Sequence, residues 1–309
     1  MTDAGGASLG TRAAVLTAPR PVPRERRRVL LTGASGMLGS DLAPVLGAAG
    51  YEVLPRSHSE LDITDAAAVS RALGEGRPDV LVNCAAYTKV DACETDRRAF
   101  EVNGAAVGLL ADACGRHSCQ LVEVSTDFVF DGAKRAPYVE DDETAPLSAY
   151  GRGKRAGEEE ALRLPGSLVV RASWLFGRSG WNFIEAILEQ VEAGKERLTV
   201  VSDQVGRPTA TTDFSEAILA LLDAGASGIY HFANRGEVSW YEFARDIVDL
   251  SGRKVAIDAT TSQALGRPAP RPAYSTLDTG KYERLTGRAV RHFRAPLIEY
   301  LAHRARPEA

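Results

Sequence analysis

The chain has 309 residues, 44% of them hydrophobic, which is enough for a full core in one large domain or two smaller ones. Its 37 basic and 41 acidic residues give a net charge of -4, which argues against nonspecific binding to nucleic acid, and no apolar run reaches the length of a membrane span. Four cysteines are too few for a disulfide scaffold, lack metal-ligand spacing and predict free thiols in a cytoplasmic protein without a metal site.

Residues 1–27 differ in composition from everything that follows. They contain three prolines and little apolar periodicity, and a basic cluster spans 24–28. We predict a disordered leader for 1–27, with the arginines as a solvated flank. A signal peptide is not indicated, because the basic residues follow the short apolar run instead of preceding it.

A strand, a glycine-rich turn, a helix and a second strand follow one another between residues 28 and 54. Gly33, Gly36 and Gly39 stand between the strand-like run 29–31 and an apolar helical pattern. In dinucleotide-binding folds the first such glycine allows a tight turn, the second allows a pyrophosphate to approach the backbone closely, and the third allows the helix to pack closely on the strand. The pattern predicts the first βαβ unit of a nucleotide-binding sheet, with a plain loop as the alternative.

The end of the second strand bears on the choice of nucleotide. An NAD site usually places a carboxylate here, whereas this chain has Arg56 and Ser57. A guanidinium can form paired, charge-assisted hydrogen bonds with a 2′-phosphate. The sequence therefore favours NADPH, with NADH as the less favoured cofactor and a plain surface arginine as the alternative interpretation.

Two further strands are expected to end at the same edge of the sheet. Thr64 or Asp65 caps the next predicted helix, and an apolar strand over 79–86 ends in small residues that leave room for a cofactor. After a predicted helix over 96–115, a strand over 120–124 delivers Ser125, Thr126 and Asp127 to its carboxyl end. Ligands bind at this edge in open parallel sheets, although the triplet alone is also compatible with a turn or cap.

Tyr150 and Lys154 are four residues apart at the start of a predicted helix that continues to residue 162. This spacing places both side chains on one face, so the ammonium lies beside the phenol and is expected to lower its pKa towards neutrality. A proton donor to a carbonyl oxygen needs such a pKa. We therefore predict a reductase site formed by Thr126, Tyr150 and Lys154, although such a pair is more often part of a solvated helix face.

The second half of the chain alternates helical and strand patterns with irregular segments. Helices are predicted over 182–193, 213–223 and 240–250, the last capped by Ser239, and a strand over 228–233. The predicted fold is an α/β, Rossmann-type doubly wound parallel sheet over 28–177, with return segments near 206–232. Residues 178–205 and 233–303 would form a smaller C-terminal substrate-binding domain.

Taken in order, the motifs resemble those of a known family. They are the glycine turn, 62–65, 83–88, the run Ser-Thr-Asp-Phe-Val-Phe-Asp-Gly over 125–132, Tyr150-x-x-x-Lys154, 171–174, 203–209 and 271–275. Over roughly residues 28 to 302, the chain closely resembles the dTDP-4-dehydrorhamnose reductase family of extended short-chain dehydrogenases. The run over 125–132 is the most specific of these motifs.

The resemblance implies an NADPH-dependent reduction of the 4-keto group of a dTDP-4-dehydro-6-deoxy sugar. Tyr150 would protonate the keto oxygen, Thr126 would hydrogen-bond it, and Lys154 would hold the nicotinamide ribose. Trp174 would stack on thymine, and Asn182 and Arg271 would contact the diphosphate. The implied cofactor residues are Gly33, Ser35, Gly36, Met37, Leu38, Gly39, Arg56, Asp62, Ile63, Ala85, Ala86, Thr88, Tyr150 and Lys154, and the substrate residues are Thr126, Asp127, Phe128, Trp174, Asn182 and Arg271.

Some features depart from the family pattern. Some members form a dimer through a magnesium ion held by glutamates, but this chain has Asp41 at one such position and Ala210-Thr211-Thr212 near another. These residues argue against a metal-bridged dimer and leave a monomer or a homodimer open. Tyr274 stands where Asn is commoner, and the leader has no counterpart. The alternatives are a ketoreductase for another nucleotide deoxysugar and a noncatalytic NADP-binding regulatory subunit.

Overall fold

Six parallel strands form the central sheet of the chain, and the computed structural model describes residues 27–304. Apart from residue 27, the predicted leader lies outside the described residues. The elements in chain order are β1 (Arg28–Thr32), α1 (Met37–Ala48), β2 (Glu52–Arg56), α2 (Ala66–Gly76), β3 (Val80–Asn83), α3 (Arg97–Phe100), α4 (Ala106–Arg116), β4 (Gln120–Thr126), α5 (Ala149–Leu162), β5 (Leu168–Ala172), β6 (Leu175–Phe176), α6 (Phe183–Glu192), β7 (Arg197–Val201), β8 (Val205–Gly206), β9 (Thr209–Ala210), α7 (Thr211–Asp223), β10 (Gly228–His231), β11 (Val238–Ser239), α8 (Trp240–Leu250), β12 (Ala256–Thr260), α9 (Ser262–Leu265), α10 (Gly280–Thr286) and α11 (Arg294–Arg304).

The strand order of the sheet is β10-β5-β4-β3-β1-β2, and every neighbouring pair is parallel. Strand β1 pairs with β2 on one side and with β3 on the other, so the chain changes its winding direction there. Ligands bind at such a switch point, outside the carboxyl ends of the strands. The predicted Rossmann-type α/β fold is confirmed by this topology.

Each face of the sheet carries its own hydrophobic core because side chains alternate along the strands. Val29, Leu31 and Val122 face one core, which also contains residues of α1 and α7. Leu30 and Leu121 face the other core, together with residues of α2 and α4 and with Ala161 of α5. The helices on both faces bury the sheet, which explains why its strands are continuous apolar runs.

The later part of the chain has a separate core. Phe176, Ile184, Phe243 and Leu297 pack together where α6, α8 and α11 meet, and β7 pairs with β12 beside them. The segment near 206–232 supplies α7 to the first core and β10 to the edge of the sheet. The elements of this separate core thus follow β5 in the chain and form a second group beside the sheet.

Helix boundaries agree closely with the capping residues in the sequence. The Asp65 side chain accepts hydrogen bonds from two amides of α2, and Ser239 forms a reciprocal capping box with Glu242 at the start of α8. The helix expected over 96–115 spans α3 and α4 but is joined by a π-helical turn over Glu101–Ala105. Such turns frequently occur at functional sites.

None of the helices within residues 27–304 combines the length and apolar composition that a membrane crossing requires. All four cysteines are free thiols.

Candidate active site

The glycine turn between β1 and α1 adopts a conformation that larger residues would not tolerate. Gly33 has φ +64°, and a Cβ atom there would lie 2.7 Å from the backbone nitrogen of Ala85. A Cβ atom on Gly39 would collide with the carbonyl oxygen of Gly33 and with Ala34. Gly39 therefore permits contact between α1 and the turn itself, whereas the sequence predicted contact with the strand.

Helix α1 begins directly after this turn. Its N-cap residue, Gly36, has no side chain to occupy the amides of the first turn, where Met37 and Leu38 lie. A helix N-terminus leaves amide hydrogens without intrahelical partners and carries a partial positive charge, so it suits a phosphate group. Ser35 lies within the turn, exposed beside these amides. The predicted cofactor residues from 33 to 38 are thus contiguous at the switch point.

Arg56 is the last residue of β2 and lies beside the glycine turn. The backbone amide of Ala34 donates a 3.0 Å hydrogen bond to the Arg56 carbonyl oxygen. The Arg56 guanidinium donates to the carbonyl of Pro55, whereas the Ser57 hydroxyl donates to Glu60 at 2.7 Å. The Ser57 hydroxyl is therefore already engaged by a carboxylate.

The other expected cofactor residues lie at the carboxyl ends of β2 and β3. The Asp62 carboxylate accepts from the amide and hydroxyl of Thr64, which hold the pKa of Asp62 below its usual value, and Ile63 is buried in the core below. Ala85, Ala86 and Thr88 form the loop after β3, next to Gly33. Their positions bring them to the same edge as the glycine turn.

Asn103, in the π-helical turn, was not singled out from the sequence. Its side chain accepts a hydrogen bond from the Tyr87 amide at 2.8 Å and donates one to the Tyr87 carbonyl at 2.9 Å. These two bonds fix the loop that contains Ala85, Ala86 and Thr88. A buried polar residue inside a helical pattern is the only sequence signal for this role.

Thr126 ends β4, and Tyr150 and Lys154 lie one turn apart in the first turns of α5. The Ser148 side chain caps this helix by accepting from the Gly151 amide at 3.1 Å. The Thr126 hydroxyl lies within hydrogen-bonding reach of the Tyr150 phenol and acts to lower its pKa. The structure therefore brings the three predicted catalytic residues together at the carboxyl edge of the sheet.

The protonation of Tyr150 differs from the sequence-based expectation. Burial raises its pKa above the ordinary tyrosine value, and this effect outweighs the lowering by the Lys154 ammonium and the Thr126 hydroxyl. The expected shift towards neutrality is therefore wrong. The Lys154 ammonium is itself paired with a buried carboxylate, that of Glu123, at 2.5 Å.

Asp127 and Phe128 form a short 3₁₀ turn directly after Thr126. The Phe128 ring meets the Tyr150 ring edge to face, with centroids 5.6 Å apart. Thr126 donates a 3.0 Å hydrogen bond to the Asp127 carboxylate, and burial raises the pKa of that carboxyl to about 7. Both predicted substrate residues thus lie against the catalytic group.

The surroundings of Trp174 differ from those expected from the sequence. Its indole stacks on Trp240, with ring centroids 3.5 Å apart and 5° between the planes, and the backbone of Gly206 also lies against the ring. The backbone of Trp174 has φ +47°, which is uncommon for an aromatic residue. The structure differs from the expected free stacking platform, because Trp240 covers one face.

Asn182 has a structural role instead of the expected diphosphate contact. Its carbonyl oxygen caps α6 by accepting from the amides of Ile184 and Glu185. Its amide group donates to the Gly177 carbonyl at 3.0 Å and to the Tyr300 hydroxyl at 3.2 Å. Since both ends of the buried side chain are occupied, the prediction of a ligand contact is corrected.

Arg271 lies close to the loop that precedes α3. It forms an ion pair with Asp91 at 3.0 Å and donates to the Ala269 carbonyl at 2.8 Å. Burial lowers the pKa of its guanidinium, and Asp91 acts in the opposite direction. Arg271 therefore ties a late segment of the chain to the mouth of the sheet, and a diphosphate there would share it with Asp91.

Asp41, the carboxylate considered for a bridging metal, and two acidic residues after 210–212 have other partners. Asp41 accepts a hydrogen bond from Thr211. Asp213 and Glu299 are both paired with Arg291, whose N–H groups lie 2.6 Å from each carboxylate. Within residues 27–304 no three His, Cys, Asp or Glu side chains are grouped so that they could hold a metal ion.

Comparison with known proteins identifies the family to which this site belongs. Residues 27–306 match the model of the RmlD substrate binding domain. The chain is 43% identical to a dTDP-4-dehydrorhamnose reductase of Streptomyces griseus, covering 90% of this chain and 94% of the relative. It is 44% identical to a probable dTDP-4,6-dihydroxy-2-methyloxan-3-one 4-ketoreductase of Streptomyces antibioticus, covering 88% and 94%.

A solved structure extends this similarity to the fold. The dTDP-4-dehydrorhamnose reductase of Bacillus anthracis, crystallised in complex with NADP, superposes with a TM-score of 0.86 and 34% identity, covering 90% of this chain and 99% of that one. The family match spans all of the described residues, including the glycine turn and the site formed by Thr126, Tyr150 and Lys154. The chain belongs to the dTDP-4-dehydrorhamnose reductase family of oxidoreductases, within the extended short-chain dehydrogenases.

Proposed function

We propose that this protein reduces the 4-keto group of a dTDP-4-dehydro-6-deoxy sugar with NADPH, and that its substrate is dTDP-4-dehydro-L-rhamnose. The observation that carries the proposal is the position of Thr126, Tyr150 and Lys154. They lie at the carboxyl edge of the same sheet whose glycine turn suits a dinucleotide. The name of the relative from Streptomyces griseus supports the choice of substrate.

The cofactor residues would be those that meet at the switch point of the sheet. The glycine turn and the start of α1 would hold the pyrophosphate, since their amides and the helix N-terminus favour an anion. Arg56, fixed beside the turn through Ala34, would hold the 2′-phosphate. When bound, NADPH supplies the hydride. The NADP complex of the Bacillus anthracis relative supports this choice of cofactor.

Tyr150 holds the proton that the reduced oxygen requires. Because burial raises the pKa of its phenol, Tyr150 stays protonated at neutral pH until a keto oxygen is present to accept the proton. Thr126 would hydrogen-bond the same oxygen and stabilise the charge that develops on it. Lys154 would bind the nicotinamide ribose, and its cation favours the phenolate that remains after transfer.

We also propose that different parts of the chain bind the cofactor and the nucleotide sugar. Residues 28–177, with the return segments near 206–232, would bind NADPH, and residues 178–205 and 233–303 would bind the nucleotide sugar. Besides Thr126, the substrate contacts would be Arg271 and the turn formed by Asp127 and Phe128. The free thiols are consistent with a cytoplasmic protein.

A second candidate is the reduction of a different dTDP-4-keto sugar. The 44% identity to the Streptomyces antibioticus ketoreductase favours it, because that identity matches the value for the rhamnose enzyme from Streptomyces griseus. The two candidates share the catalytic residues and differ only in the sugar. They are therefore distinguished by substrate and product, not by mechanism.

The test is NADPH oxidation by the purified full-length chain. dTDP-4-dehydro-L-rhamnose should be assayed beside a small panel of other dTDP-4-keto sugars, with NADH run in parallel. We expect the highest kcat/KM with the rhamnose precursor and NADPH, and NMR of the product should show the L-rhamnose configuration at C4. Preference for another sugar would favour the second candidate. No turnover of any keto sugar, with NADPH still bound, would support a noncatalytic role instead.

A further inference from the structure

A line of buried polar side chains crosses the sheet behind the catalytic helix. Thr32, Asn83 and Glu123 stand side by side on β1, β3 and β4, since Thr32 pairs with Asn83 and Asn83 pairs with Glu123 in the strand register. All three point to the face that carries α5, as Leu30, Leu81 and Leu121 do two residues earlier on each strand. The line ends at Lys154 of α5.

Hydrogen bonds connect the four side chains. Thr32 donates to the Asn83 carbonyl oxygen at 2.6 Å, and Asn83 donates to one oxygen of Glu123 at 2.7 Å. The Lys154 ammonium donates to the other Glu123 oxygen at 2.5 Å. None of the four residues is more than 2% exposed. In the sequence, the one indication that Glu123 has a special role is that it interrupts the otherwise apolar run 121–124.

The donors around Glu123 determine its ionisation. Asn83 presents its amide nitrogen to Glu123 because its oxygen accepts from the Ala85 backbone amide, which can only donate. The Lys154 ammonium also only donates. Both Glu123 oxygens therefore act as acceptors, as in an ionised carboxylate. Burial raises the pKa of Glu123, while Lys154 and Asn83 act against that shift.

Lys154 depends on this carboxylate for its charge. Burial lowers the pKa of an isolated lysine, but Glu123 and Tyr150 raise the pKa of Lys154 above its ordinary value. The other titratable or charged groups that face the pair are Cys84 after β3, Glu158 on α5 with its partner Arg171 on β5, and, around Tyr150, Asp127 and Cys93.

We propose that Glu123 is a positioning residue of the reductase: its carboxylate keeps Lys154 charged and oriented beside Tyr150, and it offsets that charge so that Tyr150 remains a neutral proton donor. The inference rests on the proposed function, in which Tyr150 supplies a proton. Glu123 is fully buried and would act only through Lys154, to which it is hydrogen-bonded. Asn83 and Thr32 hold the carboxylate in place.

The proposal predicts the behaviour of Glu123→Gln. Removing a negative charge beside Lys154 and Tyr150 should let this pair lose its first proton at lower pH, whichever residue releases it. Because ketone reduction needs both residues protonated, the alkaline limb of the kcat/KM profile should move down by more than one pH unit, which is roughly a tenfold or larger loss above that limb. Glu123→Asp, which keeps the charge, should retain most of the wild-type profile.

The matched control is Glu158→Gln. Glu158 is equally buried and forms a bidentate ion pair with Arg171 beside the same helix. This variant should lose thermal stability as Glu123→Gln does, but its alkaline limb should move clearly less, because Glu158 acts on Lys154 more weakly than Glu123 does. Equal shifts in both Gln variants would mean that any buried ion pair has this effect, and would overturn the specific role of Glu123.

A second measurement needs no activity, and its wild-type arm does not depend on the Gln variant being folded. NMR of protein with ¹³C-labelled lysine, without ligands, gives the titration midpoint of Lys154, which Lys154→Arg assigns among the six lysines. In the wild type we expect this midpoint above the ordinary lysine value despite full burial, and in Glu123→Gln a midpoint lower by more than one unit. A wild-type midpoint below the ordinary value would overturn the proposal. This titration is independent of any sugar, so it separates failure of this inference from failure of the proposed reductase function.

Discussion

The side chain of Asn103 is hydrogen-bonded to both backbone groups of Tyr87, accepting from the amide at 2.8 Å and donating to the carbonyl at 2.9 Å. Asn103 lies in the π-helical turn between α3 and α4, and Tyr87 lies in the loop after β3. The pair joins a helix on one face of the sheet to the loop expected to line the cofactor. The π-helical turn therefore supplies the side chain that fixes this loop.

The first prediction concerns this contact. Asn103→Ala should lower the free energy of unfolding by about 1 to 3 kcal/mol, since two backbone groups lose buried partners. It should also weaken NADPH binding several-fold, measured by fluorescence titration, because the loop is no longer fixed. Asn234→Ala is the control: Asn234 is also buried and holds the Ala210 amide, but far from this loop. Equal NADPH affinity in the two variants would show that the loop is positioned without Asn103.

Tyr150→Phe tests the proton donor. The phenol oxygen is lost while the ring still packs edge to face on Phe128, so NADPH should bind normally and kcat should fall roughly 10²- to 10⁴-fold. Stopped-flow or steady-state NADPH oxidation measures the loss. Tyr282→Phe, at a buried position in α10, should turn over as the wild type does. Undiminished turnover in Tyr150→Phe would contradict the role of Tyr150 as the proton donor.

Arg56→Ala tests the choice of nucleotide. Loss of a charge-assisted contact with the 2′-phosphate should reduce kcat/KM for NADPH roughly 10- to 100-fold and leave the value for NADH almost unchanged. The ratio of the two values is the measurement. Arg197→Ala removes an arginine that is paired with Asp258 at the distant β7 and β12 pair, and should not alter the ratio. A parallel loss with both nucleotides would place Arg56 outside the phosphate site.

The raised pKa of Asp127 predicts an unusual dependence of stability on pH. Burial raises its pKa to about 7, whereas an unfolded aspartate titrates near 3.9. Between these values the folded state binds more protons than the unfolded state, so this group makes the free energy of unfolding fall as pH rises. Asp127→Asn should therefore stabilise the protein at about pH 8, by up to roughly 4 kcal/mol, and change it little near about pH 4.

The control for Asp127 has the opposite sign. The Ala133 amide and the Tyr138 hydroxyl hold the pKa of Asp131 below its usual value. Asp131→Asn should therefore destabilise the protein at neutral pH, and this effect should fade as pH falls through the titration of the native carboxyl. Urea unfolding at several pH values measures both variants. Destabilisation by Asp127→Asn at alkaline pH would contradict the raised pKa.

The sequence by itself determined the fold class and the edge at which the site lies. Gly33 and the strand patterns around it identified the first βαβ unit, because glycine tolerance and apolar runs are local properties. The four-residue spacing placed Tyr150 and Lys154 on one face for the same reason, since helix periodicity is local. Capping residues such as Asp65 and Ser239 also marked helix starts correctly.

Only the tertiary structure decided what each side chain contacts across the sheet. Asn182 looked free to bind a ligand, but α6 and Tyr300 use its whole side chain, and Trp240, distant in sequence, covers one face of Trp174. Glu123 could not be connected to Lys154 without the register of β4 and the packing of α5. The direction of the Tyr150 pKa shift was also decided by the tertiary structure, because burial depends on the packing of the whole chain and outweighs the effect of Lys154, one turn away.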